Sequence, residues 1–214
     1  MESSQISLDI REINSAPAFI EPDVFRTLQM LPGVQTTSDF SSALYVRGST
    51  PDQNLIMLDG IVVYNPYHLG GIFSTFNTDA IKEADFHAGG FPSRHGGRMG
   101  AILNVINREG NTNKITGMAN ISLISSKGLL EGPLPKWRSM KGSWMISGRR
   151  TYFDSIINAL KIPSGQNRDG SDSYFQFPYF FYDYQIKINL DINQDHRITY
   201  SRFYGDDVLD YTYD

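Results

Sequence analysis

The clearest pattern in the chain is a strict alternation of apolar and polar side chains over residues 182–192. One face carries Tyr182, Tyr184, Ile186, Ile188, Leu190 and Ile192, and the other carries Asp183, Gln185, Lys187, Asn189 and Asp191. A period of two residues predicts a β-strand, because successive side chains of a strand point to opposite faces. The pattern suits a membrane-spanning strand of about 9–11 residues, and it also suits a half-buried strand of a soluble sheet.

The chain after residue 113 predicts about five strands of this kind. Their ranges are 115–124, 128–134, 143–153, 182–192 and 197–204. The stretch 158–173 is polar and contains glycine, so it predicts a long loop. Because so few strands cannot close a barrel, the sheet belongs either to a soluble domain or to a larger barrel that this chain covers in part.

Two arginines interrupt the apolar faces of these strands. Arg150 shares a face with Trp144 and Ile146, and arginine costs about 2–4 kcal/mol at the middle of a bilayer. We therefore expect Arg150 to lie near a membrane interface. If the turn at 193–196 keeps Ile198 on the side of Ile192, Arg202 also falls on that side.

The first half of the chain mixes helix and strand signals. Val24, Phe25, Leu28 and Leu31 recur at helical spacing and are followed by Pro32-Gly33, which predicts a helix and its end. Short strands are predicted at 43–47, 55–58, 61–64, 81–87 and 102–106, whereas 70–82 is ambiguous and suggests one short helix. We assign residues 1–19 to an N-terminal segment, 20–110 to a small α+β domain and 114–214 to the strands.

Composition narrows the function classes. The net charge of −4 and pI of about 5.5 argue against a nucleic-acid partner. The chain has no cysteine, which excludes disulfides and thiolate zinc sites. It has no run of 18 apolar residues, so no transmembrane helix is expected. Residues 1–5 lack the basic and apolar parts of a signal peptide, so none is expected either.

Several short motifs suggest chemistry, but each has a simpler interpretation. Tyr204-Gly205-Asp206-Asp207 copies the Mg²⁺-binding motif of viral RNA polymerases, yet no second acidic strand accompanies it. The glycine-rich stretch 89–100 lacks the Gly-Lys-Ser/Thr ending of a phosphate-binding loop. A metal site built from His87, His95 and Asp85 is the remaining alternative. We expect no cofactor, no metal and no enzymatic activity.

Aromatic side chains are concentrated ahead of the alternating strand. Eight of the eleven residues from 174 to 184 are aromatic. An interfacial girdle and strand packing explain such a cluster. A surface on which a sugar or flat ligand stacks is the alternative.

A series of motifs in the first half carries a family resemblance. In order, they are Leu31-Pro32-Gly33-Val34, Tyr45-Val46-Arg47-Gly48, Leu58-Asp59-Gly60, Gly89-Gly90-Phe91-Pro92, Gly96-Gly97-Arg98 and the apolar stretch 101–106. Their order and spacing resemble the plug domain of TonB-dependent outer-membrane receptors over residues 20–108. Residues 114–205 resemble the first barrel strands of the same family.

The resemblance implies an α+β plug domain followed by antiparallel strands of an incomplete transmembrane β-barrel, which in this family has about 22 strands. It implies a receptor in the outer membrane of a Gram-negative bacterium that imports an iron chelate, a cobalamin-like molecule or a glycan. The implied partners are TonB with its inner-membrane complex, outer-membrane lipid, the substrate and a surface lipoprotein. The chain ends about a quarter of the way round such a barrel, so we expect a truncated receptor. Residues 1–20 contain no identifiable TonB box.

The resemblance also suggests site residues. The substrate-binding candidates follow two plug strands and are Ser49, Thr50, Asp52, Gln53, Asn65, Tyr67 and His68. The structural motif residues are Arg47, Gly48, Asp59, Gly60, Gly96, Gly97 and Arg98. We expect Arg47 and Arg98 to form buried or lumen-side charge pairs, with Asp59 as one partner. The alternative to a transport module is a soluble or secreted β-rich domain that binds a ligand such as a glycan.

Overall fold

A computed structural model describes residues 5–18, 20–38, 40–135, 140–166 and 172–209. Two five-stranded sheets dominate it. We call residues 5–107 the inner domain, and the five long strands between residues 116 and 209 the wall sheet. The two are connected by residues 108–115.

The inner domain is built on a sheet with the strand order β1-β8-β9-β4-β5. These strands are β1 (Gln5–Asp9), β4 (Leu55–Leu58), β5 (Ile61–Val62), β8 (Ile81–His87) and β9 (Ile102–Asn107). All neighbours are antiparallel except β4 and β9. Two small hairpins accompany the sheet, and they pair β2 (Val34–Gln35) with β3 (Tyr45–Val46) and β6 (Tyr67–His68) with β7 (Phe73–Ser74).

Two short helices cover this sheet, and an aspartate caps each of them. The Asp9 side chain accepts from the backbone N–H groups of Arg11 and Glu12 at the start of α1 (Ile10–Ser15). Asp23 does the same for Phe25 and Arg26 at the start of α2 (Val24–Leu28). Such caps satisfy N–H groups that the helix itself leaves free. Phe25 and Leu28 are fully buried in the domain's core, as the helical spacing predicts.

The ambiguous segment 70–82 does not form one helix. It contains the end of a 3₁₀ turn at Leu69–Gly71, then β7, a second 3₁₀ turn at Thr78–Ala80 and the start of β8. Gly70 and Gly71 both have positive φ, at 62° and 103°, so the backbone here cannot continue as a right-handed helix.

The wall sheet is antiparallel throughout and has the order β10-β11-β12-β15-β16. Its strands are β10 (Thr116–Ile121), β11 (Ser125–Pro133), β12 (Lys141–Thr151), β15 (Tyr179–Asp191) and β16 (Arg197–Leu209). The sheet is open, with β10 and β16 at its edges. The predicted combination of an α+β domain with antiparallel strands of an unclosed sheet is therefore confirmed.

The wall sheet buries its polar face and exposes its apolar face. On β15, Asp183, Gln185, Lys187 and Asn189 are all buried against the inner domain. On the opposite face, Leu130 is 55% exposed and Ile146 is 47% exposed. A sheet in water does the reverse, because burying apolar side chains is what stabilises it. The orientation is that of a strand with lipid outside and a polar lumen inside.

Both arginines on the apolar face lie beside aromatic rings. The Arg150 guanidinium lies 4.4 Å from the ring centre of Phe180 and is 3.6 Å from Asp154. Arg150 is the last but one residue of β12, which fits the expected position near an interface. Arg202 pairs in register with Ile186 and lies 5.9 Å from the ring centre of Tyr184.

The connections at the two ends of the wall sheet differ in length. The one from β12 to β15 contains α3 (Phe153–Leu160) and a hairpin of β13 (Pro163–Gln166) with β14 (Asp172–Tyr174). This connection is longer than the predicted loop 158–173, because it also contains α3. The apolar residues of this helix follow one another at helical spacing and are Phe153, Ile156, Ile157 and Leu160. The turn from β15 to β16 is short. Within the described ranges, no helix is both long and apolar enough to cross a membrane.

Candidate functional site

The inner domain and the wall sheet meet through two apolar clusters, around Phe73 and Ala80, and through several groups of polar contacts. One polar group is centred on Asp59. Asp59 and Gly60 form the two-residue turn between β4 and β5, with φ of 52° and 80°. Positive φ at both positions is the geometry that an Asp-Gly turn provides. The turn projects the Asp59 carboxylate towards β15 and β16.

The Asp59 carboxylate accepts hydrogen bonds from both sides of this contact. Lys187 Nζ of β15 donates to it at 2.7 Å and Ser201 Oγ of β16 at 2.9 Å. From the inner domain, the backbone N–H of Asn107 donates at 3.0 Å and its side-chain amide at 3.1 Å. Lys187 also donates to the Asn107 carbonyl oxygen at 3.1 Å. One carboxylate therefore joins the hairpin, β9 and two wall strands.

The expectation that Asp59 forms a charge pair with Arg47 or Arg98 is wrong. Its ion-pair partner is Lys187, which belongs to the alternating strand, and not Arg47 or Arg98. Arg47 and Arg98 are exposed, and neither forms an ion pair with any residue that the structure describes. Arg47 instead lies along the backbone of the inner domain, where a Cβ at Gly89 would come within 3.3 Å of its guanidinium.

We call each such group of polar contacts between the inner domain and the wall sheet an anchor, and the group around Asp59 is the first. A second anchor connects Glu21, just ahead of α2, to β11. Lys127 Nζ donates to the Glu21 carboxylate at 2.9 Å, and the hydroxyls of Ser122 and Ser125 donate to it as well. Burial alone would raise the pKa of Glu21, but the Lys127 charge and these hydrogen bonds outweigh burial and hold the pKa below its ordinary value of 4.5. Sequence reasoning missed this anchor, because nothing local relates Glu21 to Lys127.

The Glu21 anchor predicts how the free energy of unfolding depends on pH. A carboxylate with a lowered pKa stabilises the folded state above its unfolded pKa, and the contribution is lost as the pH falls through the folded pKa. We expect Glu21→Gln to lower the free energy of unfolding at pH 7 by about 1–3 kcal/mol. The difference from the wild type should shrink as the pH falls below about 4.5. Thermal unfolding in detergent across this range measures it, with Asp52→Asn, an exposed carboxylate, as control; a difference independent of pH would contradict it.

His68 forms a third anchor, although its predicted role was to face outwards. Its side chain is buried, and Nδ1 lies 2.8 Å from Asp207 Oδ1 on β16. The neighbouring Leu69 N–H donates to the Tyr179 hydroxyl of β15 at 2.7 Å. Arg149 of β12 donates to the Ser74 carbonyl oxygen at 2.8 Å. The whole β6–β7 hairpin is thus attached to three wall strands.

A fourth group of contacts lies where the chain leaves the inner domain. The Glu109 carbonyl oxygen accepts from Ser143 Oγ at 2.6 Å and from Asn189 Nδ2 at 3.0 Å. Arg108 pairs with Glu131 at 3.1 Å. The inward side of the wall strands supplies all of these partners, as their alternation predicts, but the sequence does not show which inner-domain residues they meet.

Four of the singled-out residues lie together around a cleft of about 330 Å³ in the inner domain. Asp52, Asn65, Tyr67 and Arg98 line it, and the neighbouring Tyr64 is 93% exposed. Tyr67 packs its ring 5.1 Å from that of Phe25, and burial raises its pKa to about 12. The cleft thus combines two side-chain charges, an amide and aromatic rings.

Three substrate-binding candidates remain, and two of them, Ser49 and Gln53, make hydrogen bonds within loops of the inner domain. Ser49 Oγ donates to the Val46 carbonyl oxygen at 2.7 Å. The Gln53 carbonyl oxygen accepts from the backbone N–H groups of Met99 and Gly100. Thr50 is exposed ahead of the 3₁₀ turn Pro51–Gln53. In the motif group, Gly48 and Gly97 have φ of 85° and 82°, while Gly96 is exposed in the 89–100 loop.

The enzymatic motifs do not form a site. Asp207 binds His68, whereas Asp206 lies near the Tyr182 and Tyr204 hydroxyls, so the two carboxylates do not converge. Among the described residues, no group of three or more His, Asp or Glu side chains is arranged to hold a metal ion.

The aromatic cluster divides between the two faces of the wall sheet. Phe177, Tyr179 and Phe181 pack inwards with Phe73 and Phe153. Outward-facing Tyr184 stacks on Tyr204 with ring centres 5.3 Å apart. Strand packing accounts for the inner group, and the outer group has the position of a girdle.

These features define a class of protein. An inner domain is attached, in large part through polar contacts, to the polar face of a sheet whose outer face is apolar. Residues 18–102 match the model of the TonB-dependent receptor plug domain family. The matched part of the chain has the fold of this plug domain, and antiparallel strands of an open sheet follow it. A comparison with curated protein sequences gives no match.

Solved structures of several receptors share the fold. The ferric enterobactin receptor PfeA of Pseudomonas aeruginosa matches with a TM-score of 0.60 at 17% identity, over 95% of this chain and 33% of that one. The siderophore receptor PirA of the same organism gives 0.61 at 14% identity, over 98% and 36%. The alcaligin receptor FauA of Bordetella pertussis gives 0.60 at 12%, over 97% and 32%. The chain spans about a third of the length of these receptors.

Proposed function

We propose that this chain is the gating part of an outer-membrane receptor that imports a nutrient from outside a Gram-negative cell. In this proposal, the wall strands cross the outer membrane and contact its lipid. The inner domain fills the lumen, and TonB, powered from the inner membrane, displaces it to admit the substrate. The substrate is an iron chelate, a cobalamin-like molecule or a glycan, and a surface lipoprotein is a further proposed partner.

The observation that carries the proposal is the inverted burial of the wall sheet. Lys187 and Asp183 are buried against the inner domain, while Ile146 and Leu130 face outwards. Burying charged groups is costly unless each finds a partner, and here each one does. The soluble glycan-binding alternative offers no reason for an apolar exterior over a charged interior.

The polar character of the contact suits a domain that must move. Besides two apolar clusters around Phe73 and Ala80, the attachment depends on discrete ion pairs and hydrogen bonds at Glu21, Asp59, His68 and Glu109. Such bonds can be exchanged for bonds to water when the parts separate, whereas exposing a large apolar contact has no such compensation. We propose that displacement breaks these anchors.

We further propose the cleft of the inner domain as a place where substrate is contacted. Asp52, Asn65 and Arg98 offer hydrogen-bonding groups around it, and Tyr64 offers an exposed ring. Rings of this kind bind sugars and other flat ligands by stacking. A direct role for Ser49, Thr50 and Gln53 stays a prediction from the sequence, and the loop contacts of Ser49 and Gln53 argue for support instead.

Cell fractionation tests the proposed function. An antibody raised against residues 1–110 is used to probe the membranes of the source cells. We expect a band in the outer membrane that is several times larger than the 24.1 kDa of this chain. A soluble product of 24.1 kDa, with nothing larger, would replace the transport proposal with the binding-domain alternative.

A further inference from the structure

A groove of about 660 Å³ crosses the outer, apolar face of the wall sheet. Its floor is a row of register partners on β10, β11 and β12 with no side chain larger than a methyl group, namely Ala119, Gly128 and Gly148. Because neighbouring strands lie about 4.8 Å apart, the groove extends for about 14 Å from β10 to β15. There it is closed by Tyr184, which stacks on Tyr204.

The two glycines in this floor are not required by the fold of the chain. Neither of them has a positive φ. A Cβ on Gly128 would meet no atom within 4 Å, and a Cβ on Gly148 would meet only the Asp183 carbonyl oxygen, at 3.7 Å. Glycine inside a strand weakens the strand, and it often marks a place where a ligand comes close to the backbone. The glycines therefore indicate an occupant from outside the chain.

The two sides of the groove differ in polarity. Two residues to one side of the floor, Leu130 and Ile146 are register partners and form an exposed apolar ridge. Two residues to the other side, Ser126 and Arg150 are register partners and are also exposed. The groove thus has an apolar floor, an apolar ridge towards the middle of β12, and a hydroxyl with a guanidinium towards its end.

The Arg150 guanidinium is available to bind an anion. Its ion-pair partner among the described residues is Asp154, and their 3.6 Å separation is too long for a hydrogen bond. The guanidinium lies over the Phe180 ring, which leaves its N–H groups at the edge free. Arginine carries five N–H donors in a fixed fork, and this geometry matches the oxygens of a phosphate group.

We propose that the groove binds a membrane lipid with an anionic phosphate headgroup. One acyl chain lies on Gly128 and Gly148 and supplies the packing contacts that their missing side chains do not make. Ser126 and Arg150 bind the phosphate, which compensates an arginine charge that is costly on a lipid-facing strand. This site depends on the proposed function, because it requires lipid on the outer face of the wall sheet.

Quenching of Trp144 fluorescence by lipids with brominated acyl chains tests this site. Trp144 is on β12 beside the apolar ridge, and Trp137→Phe in every variant leaves it as the only tryptophan. The chain is inserted into phosphatidylcholine vesicles that contain increasing fractions of brominated phosphatidylglycerol, which is anionic, or of brominated phosphatidylcholine, which is zwitterionic. We expect half-maximal quenching at an about ten-fold lower fraction of phosphatidylglycerol, the effect of one charge-assisted hydrogen bond.

Matched variants separate the headgroup from the acyl chain. Arg150→Gln should abolish the preference for phosphatidylglycerol, whereas Arg202→Gln, which removes another arginine of the outer face, should retain it. Gly128→Val fills the floor of the groove and should also abolish the preference. Ile198→Val, at an exposed outer position away from the groove, should not. If Gly128→Val fails to insert, Gly148→Val fills the same floor and provides the second test.

Each outcome supports or overturns the lipid site. Equal quenching by the two lipids in the wild type would overturn it, and it is also the result expected if a second copy of the chain covers the groove. A preference that survives in Arg150→Gln or in the inserted valine variant would overturn it as well. In these cases, quenching by both lipids would still show lipid on the outer face. The absence of quenching by either lipid would contradict the proposed function too.

Discussion

Replacing Asp59 by alanine is expected to destabilise the attachment of the inner domain by about 3–5 kcal/mol, the usual cost of removing one partner from a buried ion pair. Lys187 would keep its charge in a buried position, with only the Asn107 carbonyl oxygen left to it. Asn107 and Ser201 would also lose an acceptor. The thermal unfolding transition of the chain in detergent measures the effect.

The control for this prediction is Asp52→Ala, which removes an exposed carboxylate of the same domain and should leave the transition within about 0.5 kcal/mol of the wild type. The double variant Asp59→Ala with Lys187→Met should recover part of the loss, because no unpaired charge is then buried. A fully folded Asp59→Ala chain with an unshifted transition would show that Asp59 is not an anchor.

The second large effect is expected on the outer face of the wall. Ile146 lies in the middle of β12 and points outwards. If that face meets lipid, Ile146→Arg should destabilise the membrane-inserted chain by about 2–4 kcal/mol. In a soluble domain, the same change at a half-exposed position would be close to neutral.

Ile121→Arg is the matched control for Ile146→Arg. Ile121 is 79% exposed but ends β10, so an arginine there can reach an interface and should cost only about 0–1 kcal/mol. Urea unfolding of both variants in lipid vesicles measures the difference. Equal effects at the two positions would argue against lipid on this face and in favour of the soluble alternative.

The strands of the wall could be predicted because their signal is local. The alternation over residues 182–192 depends only on neighbours in the chain, and it identified both faces of β15 before any partner strand was known. Even Arg202, which spoils an apolar face, lies on the predicted side, opposite Ile186 in register. The Asp-Gly signal at residues 59 and 60 likewise identified the β4–β5 turn.

The contacts between the two parts could not be predicted, because they depend on distance in space. Asp59 and Lys187 are separated by 128 positions, so no sequence spacing relates them. The same applies to His68, which was assigned to a ligand-facing loop although the wall covers it. The likeness to a plug domain directed attention to Arg47 and Arg98, while the residues that hold the domain here include Glu21 and Lys127.

The two free edges of the wall sheet have a consequence for the isolated chain. β10 and β16 each have one side without a partner strand in the described part of the chain, and unpaired strand edges bind other strands. The edge of β16 in one copy can pair with the edge of β10 in the next, which is a head-to-tail contact without a two-fold axis. Copies joined in this way would form assemblies of no fixed size.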